Sequence, residues 1–333
     1  MEIFIWLFIF IVSVIALLRG AALFSAAAAR FFSKDAAAGF AAIAIGAALP
    51  ELALALAAVL TGRPELVLPI LLGSSIANIL LVAGASAIAA KNLPINRECA
   101  DADAPLLIGA AAIFCFCAID GVVVFNEGLL MLAAFLVCAA FLVSRGRSRK
   151  FTPRDIVAPS MFRGAPGLAE MVGARFSRGF GPRAKSSSAA ILLGLVGVLL
   201  LAAAANFAIE SLAGIAELLA VSAAVLAVSA LALFAALPEL RGSLAVIAKK
   251  RYELALGNVF SGIAVNLLLV AGIAALFSPL TIDAAVLGIS LPFFIAAAAL
   301  LTVSGFSRKI NSGQGWLYVL LYVLFLAKLF ALF

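Results

Sequence analysis

Apolar runs of about twenty residues, each closed by charged or turn-forming residues, recur along the chain. They predict ten helical spans, at about 2–19, 36–60, 65–89, 104–124, 127–143, 189–209, 216–248, 253–277, 282–304 and 315–332. A helix of roughly twenty residues is what a ~30 Å hydrocarbon core requires. A membrane β-barrel would show short alternating segments instead, and none appear. The second and seventh runs are long and carry Pro50 and Pro238 in their interiors. A proline there removes a backbone donor and presses its ring on the carbonyl four residues earlier, that of Gly46 or Phe234. Interruptions at membrane depth are tolerated where the freed backbone groups line a polar cavity or bury against protein.

Residues 46–85 and 234–273 align without a gap and agree at 18 of 40 positions. Alanine and leucine matches mean little in so apolar a chain. The rarer ones carry the case: Pro50 with Pro238, Glu51 with Glu239, Arg63 with Arg251, Glu65 with Glu253, Asn78 with Asn266, Gly84 with Gly272. This is an internal repeat of whole supersecondary units. The copies occupy spans two and three and spans seven and eight. An offset of five spans is odd, so they cross the membrane in opposite senses. The expected fold class is therefore an all-α polytopic membrane protein of ten transmembrane helices, built as two inverted five-helix repeats. That is a transporter architecture, with a substrate site near the midplane where the halves meet.

Composition agrees. Hydrophobic residues make up 66% of the 333 positions, charged ones 12%, and mean hydropathy is +1.25. Lys and Arg divide 20 to 2 between the two sides of the predicted layout, with Arg241 left inside a span. Positive charge marks the cytoplasmic side. Both termini are then expected outside, in a prokaryotic inner membrane, with residues 3–18 a first span rather than a removed signal peptide. The halves would be 1–143 and 189–333, joined by a basic cytoplasmic linker at 144–188. That linker reads as a solvated positive-inside loop or an anionic-lipid-binding segment, and gives no argument for nucleic acid. There is no histidine, so the usual proton shuttle and activator of a serine nucleophile is missing. Cys99, Cys115, Cys117 and Cys138 have neither disulfide nor zinc spacing. No enzyme, cofactor or obligate protein partner is expected; the partners are inorganic cations and the lipid bilayer.

Glu51 and Glu239 directly follow the two span prolines. A carboxylate at the bilayer centre costs a few kcal/mol even on lenient scales, so it marks an ion or proton path. Related by the repeat, the two would converge on one point. With the carbonyls of Ala47 and Ala235 they would make an all-oxygen site of the kind a hard cation such as Ca²⁺ takes. The plainer alternative is a structurally paired glutamate, with Arg241 as partner.

These residues resemble the cation/Ca²⁺ exchangers, the family that includes the sodium/calcium exchangers. Its inverted repeats each carry a Gly-Thr-Ser-x-Pro-Glu helix break followed by a Gly-Ser-Asn-x-x-Asn segment. Here the first repeat has Gly46-Ala47-Ala48-Leu49-Pro50-Glu51 and then Gly73-Ser74-Ser75-Ile76-Ala77-Asn78. The second has Ala235-Ala236-Leu237-Pro238-Glu239 and then Ser261-Gly262-Ile263-Ala264-Val265-Asn266. The resemblance implies that Glu51 and Glu239 bind the cation and that the Ala47 and Ala235 carbonyls complete a Ca²⁺ shell. Ser74, Asn78 and Asn266 would line sodium sites, although interhelical hydrogen bonding is an equal role for the asparagines. It further implies alternating access, with spans 1 and 6 rocking or sliding over the site while the two ions compete for it.

The chain departs from that pattern where Ala47-Ala48 and Ala235-Ala236 replace Thr-Ser, and where Gly262 replaces a serine. Hydroxyl ligands for Na⁺ are thinned, which opens the way to protons as counter-ion. An exchanger fold with altered substrate or lost exchange is the alternative. Arg241 is a possible modulator: two residues after Glu239, it should face away on an ideal helix, and would act as a tethered cation if it turned inward.

Overall fold

The computed structural model describes residues 2–31, 36–96, 103–146 and 187–331. Most of the predicted linker, with Cys99, Asp101, Lys34 and Arg97, lies outside them. Among the described residues the chain forms α1 (Glu2–Phe31), α2 (Ala36–Leu60), α3 (Pro64–Ala90), α4 (Ala104–Ala118) and α5 (Phe125–Gly146). It continues through α6 (Ser187–Leu219), α7 (Ala223–Ala248), α8, α9 (Ala284–Phe306) and α10 (Ser312–Phe330). Here α8 is Tyr252–Ala264 continued by Val265–Val270 and Ala271–Ala275. Seven of these helices are long and apolar enough to cross a membrane; the apolar stretches of α2, α4 and α5 are shorter.

Several predicted ends move. The boundary between the sixth and seventh spans falls at residues 220–222, not 210–215, because Ala220 turns left-handed (φ 53) and Ser222 extends (ψ 131). No glycine or proline announces that turn. The fourth span stops at Ala118, where Gly121 (φ 82) leads into a strand. Helix α1 runs on through Arg19, which is only half-buried. The prolines do not end their helices: α2 continues through Pro50 and α7 through Pro238. The ladder widens elsewhere, in π-helical turns at Asn78–Ala83 of α3, Ala227–Leu231 of α7 and Val265–Val270 of α8.

Burial sorts the helices into centre and rim. The most apolar window of α3 is 94% buried, whereas those of α1, α6 and α10 are 28% buried. Phe4, Phe8, Leu192 and Leu199 stand exposed on α1 and α6, the outward apolar surface that lipid solvates. Because lipid is as apolar as leucine, close packing of small residues holds such helices together. Backbones meet at Gly20 of α1, where a Cβ would lie 2.8 Å from the Gly197 carbonyl of α6. The tightest approach is central: a Cβ at Gly73 of α3 would come 2.2 Å from the Val228 carbonyl of α7.

Contacts recur at the repeat offset. Gly84 of α3 packs on Gly315 of α10, and its repeat mate Gly272 of α8 packs on Gly128 of α5. Strand β1 (Asn92–Pro94) pairs antiparallel with β4 (Lys309–Asn311), and β2 (Val122–Val123) pairs with β3 (Leu280–Thr281). Residues about 188 apart thus occupy equivalent places in each pair of contacts. Strands of two or three residues carry no readable alternation, so the sequence does not announce them.

Replacing Gly73 by alanine should destabilise the fold by about 2–3 kcal/mol, since overpacking against backbone cannot be relieved by a rotamer change. Gly109→Ala meets nothing within 4 Å and should be neutral or stabilising, as helix propensity favours alanine. Thermal unfolding of both variants in detergent checks the contrast; equal midpoints would show that α3 and α7 are not in backbone contact.

Candidate cation site

Two helix crossings bring the repeated residues together. Helix α2 packs on the π turn of α8, and α7 packs along α3. The glutamate of each repeat therefore meets the asparagine of the other. Asn266, in the α8 π turn, lies beside Glu51; Asn78, which opens the α3 π turn, lies beside Glu239. A π turn misaligns one residue with the ordinary helical ladder, a local strain that recurs at functional sites.

The polar residues of the pocket are largely withdrawn from solvent. Glu51 is 2% exposed, and Asn78, Asn266 and Ser74 are buried. Glu239 is half-buried with its Oε2 sealed, and the charge of Glu51 acts on it. Two ionised carboxylates that share a low-dielectric interior repel each other unless a cation or proton offsets the charge. Pro50 and Ala235 are buried as well. The side chains of Ala47 and Ser261 lie outside the described residues.

Hydrogen bonding across the pocket is lopsided. Asn266 Nδ2 donates to Ser74 Oγ at 3.2 Å, and Ser74 Oγ donates to the Leu71 carbonyl at 3.3 Å. The repeat mate of Ser74 is Gly262, which has no hydroxyl. A Cβ there would sit 3.5 Å from Glu239 Oε1, ordinary contact distance. Asn78, the mate of Asn266, is accordingly left with neither Nδ2 nor Oδ1 hydrogen-bonded. Glu51 Oε2, Glu239 Oε2 and Ser75 Oγ are also buried without a partner. Each such group costs about 1–3 kcal/mol of desolvation. Carboxylate and carboxamide oxygens are the donors a hard cation accepts. Among the described residues no cluster of three or more His, Cys, Asp or Glu exists, so a bound cation would take its remaining ligands from neutral oxygens.

Arg241 is exposed on α7, outside this buried pocket. Three other acidic side chains serve turns and caps at helix ends. Asp283 caps α9 by accepting from Ala285 N and Val286 N at 2.9 and 3.3 Å. Glu127 Oε2 accepts from Val124 N at 2.9 Å, and Asp120 Oδ1 from Val122 N at 3.0 Å. Ser75 was not among the residues the sequence singles out by role; the doubled serine after Gly73 was its only signal.

The family described as sodium/calcium exchanger protein matches residues 5–144 and 189–331. The protein named "Putative antiporter CaxA" of Alkalimonas amylolytica is 30% identical over 293 residues, covering 86% of this chain and 85% of its own. Inner membrane protein YrbG of Escherichia coli is 24% identical over 245 residues, covering 74% of this chain and 70% of its own. The fold is similar to that of the sodium-calcium exchanger NCX_Mj soaked with 10 mM Na⁺ and zero Ca²⁺. That match has a TM-score of 0.60 at 21% identity and covers 98% of this chain and 99% of the other.

A double-mutant cycle of Ser74→Ala and Asn266→Ala should give a coupling of about 0.6 kcal/mol in unfolding free energy, the usual size of a hydrogen bond between membrane helices. Gly262→Ser should raise the unfolding midpoint by supplying Asn78 with the missing hydroxyl. A drop instead would mean that the space beside Glu239 is too small for a serine.

Proposed function

The chain belongs to the sodium/calcium exchanger protein family, and from that membership and the pocket we propose that it is a secondary antiporter exchanging Ca²⁺ for Na⁺ or H⁺ by alternating access. The observation that carries this reading is the crossed pair of glutamates, each with a buried oxygen that no protein group satisfies. A scaffold gains nothing from two facing carboxylates at its centre. A cation carrier needs them.

In this reading Glu51 and Glu239 neutralise the transported cation, with Asn78, Asn266, Ser74 and the Ala47 and Ala235 carbonyls as further oxygen ligands. Cation and counter-ion compete for the same two carboxylates, so the empty, doubly ionised pocket is too unfavourable to reorient. That penalty is what couples the two fluxes. Access would alternate by movement of α1 and α6, which pack on each other at the rim with little of their surface buried. We take all ten helices to cross the membrane as two inverted halves, 1–143 and 189–333. The Gly84–Gly315 and Gly272–Gly128 contacts and the two small sheets, recurring at the repeat offset, support that layout. Following the distribution of Lys and Arg, both termini are outside, and the 144–188 linker is cytoplasmic, in a bacterial inner membrane.

The counter-ion reading follows from the lost hydroxyls. Ala48, Ala235 and Ala236 are buried where a small-cation site would want oxygen, and Gly262 leaves Asn78 unpartnered. Na⁺ is left with few neutral ligands, whereas a proton needs only a carboxylate oxygen. The same deficit favours, as a second reading, an exchanger fold whose cargo has changed.

Ca²⁺ uptake into proteoliposomes under an outward Na⁺ gradient, and separately under an outward H⁺ gradient, tests both readings. Uptake should follow the H⁺ gradient more than the Na⁺ gradient and fall at least about 100-fold in Glu51→Gln and in Glu239→Gln. Gly262→Ser should increase competition by Na⁺ severalfold. Uptake that survives either glutamine substitution would remove the pocket from the mechanism. Silence under both gradients would leave the altered-cargo reading.

A further inference from the structure

One end of the bundle is basic. It carries Lys91, Lys249, Lys250, Arg308 and Lys309, all exposed. The opposite end carries Glu65, Asp120, Glu217 and Asp283. At the basic end, between the last turn of α3 and the turn from α7 to α8, lies a groove of about 380 Å³. Lys91 and Lys250 stand at it, Tyr252 lines it, and Ala90, Leu244 and Ile247 supply apolar lining. Among the described residues neither lysine pairs with a carboxylate.

The backbone at these lysines is unusual. Among the described residues, four non-glycine residues have positive φ: Lys91 (61), Lys250 (59), Arg308 (55) and Ala220 (53). Three of the four are cationic and stand at this one end. A helix that closes in the left-handed region ordinarily uses glycine or asparagine, which adopt it at little cost. The helix dipole favours a cation at such an end, but the positive φ itself is better served by glycine. An outlier of this kind points to a role for the side chain.

We propose that the groove binds the headgroup of an anionic phospholipid, its phosphate held by Lys91 and Lys250 and its glycerol and upper acyl region against Leu244 and Ile247. Charge complementarity selects the occupant. Two lysines would repel the cation that the central pocket takes, so the groove is not its route inward. The 144–188 linker, with ten Lys or Arg against Asp155 and Glu170, is repelled as well. The groove lies at the ends of membrane-crossing helices, where headgroup phosphates are concentrated and basic pockets between helices recruit them. Its apolar lining suits a phosphate that arrives with hydrocarbon attached. This assignment does not depend on which ions the central pocket exchanges.

The test is thermal unfolding of the full chain in a neutral detergent, titrated with phosphatidylglycerol, with phosphatidylcholine and with inorganic phosphate. Phosphatidylglycerol should raise the midpoint saturably, and the other two should not at equal concentration. Lys91→Gly/Lys250→Gly removes both charges while relaxing the left-handed turns, so its midpoint without lipid should not fall. It should need about tenfold or more phosphatidylglycerol for half the effect, and Lys91→Asn/Lys250→Asn should behave alike. Lys249→Gln/Lys309→Gln, which removes as much charge from the same end, should stay within about twofold of the unsubstituted protein. An unchanged response in the glycine pair would overturn the site. An equal loss in the Lys249/Lys309 pair would reduce it to general surface charge, and an equal shift with inorganic phosphate would make it a soluble-anion site; either result defeats the proposal.

Discussion

Two carboxylates held inside the bundle, Glu51 buried and Glu239 half-buried with its Oε2 sealed, are the constraint on which the rest of this molecule depends. An ionised group in such surroundings is expensive, and a second like charge adds repulsion to desolvation. Crossed amides stand beside the carboxylates, Asn266 by Glu51 and Asn78 by Glu239. Gaps remain: an oxygen of each glutamate and both polar atoms of Asn78 have no protein partner. A stable scaffold would be selected to close such gaps. In the proposed exchange reading, a cation or a proton would make up the difference at these atoms.

Bringing the four residues together places strict demands on the helices. Asn78 and Asn266 reach the facing glutamates from π turns, where one residue is out of step with the ordinary ladder. Helix α3 must press against α7 until Gly73 touches the Val228 backbone, and no side chain larger than hydrogen fits there. The glycine contacts and the paired short strands then repeat on both sides of the pocket, so each half braces the other. The rim follows different rules. Helices α1 and α6 share a glycine crossing and turn broad apolar faces outward, which leaves them the elements with least to lose by shifting.

Pseudo-symmetry is incomplete in a chemically meaningful place. Ser74 accepts a hydrogen bond from Asn266, while Gly262 offers Asn78 nothing. One half of the pocket is knitted and the other is open. The bundle ends are unequal as well, basic at one and acidic at the other, which matches a membrane whose two surfaces differ in charge.

Much of this was legible in the chain itself. The length and spacing of the apolar runs indicated a helical membrane protein, because a helix satisfies its own backbone in hydrocarbon and the short alternating segments of a barrel are missing. The gapless repeat carrying Pro-Glu and Asn, 27 residues apart in both copies, singled out Glu51, Glu239, Asn78 and Asn266. Other features were decided only by the tertiary structure. That Pro50 and Pro238 leave their helices unbroken, and that the ladder widens at π turns elsewhere, is announced by no local pattern in the chain. The turn at Ala220 has no sequence punctuation: it is closed by backbone hydrogen bonds, from Ala220 N to the Glu217 carbonyl and from Val221 N to the Ala216 carbonyl, which any residue can make. Which glutamate meets which asparagine is a matter of helix crossing, a long-range relation that local periodicity does not carry. The groove between Lys91 and Lys250 is of the same kind, since residues 159 positions apart in the chain become neighbours only when α3 and α7 pack.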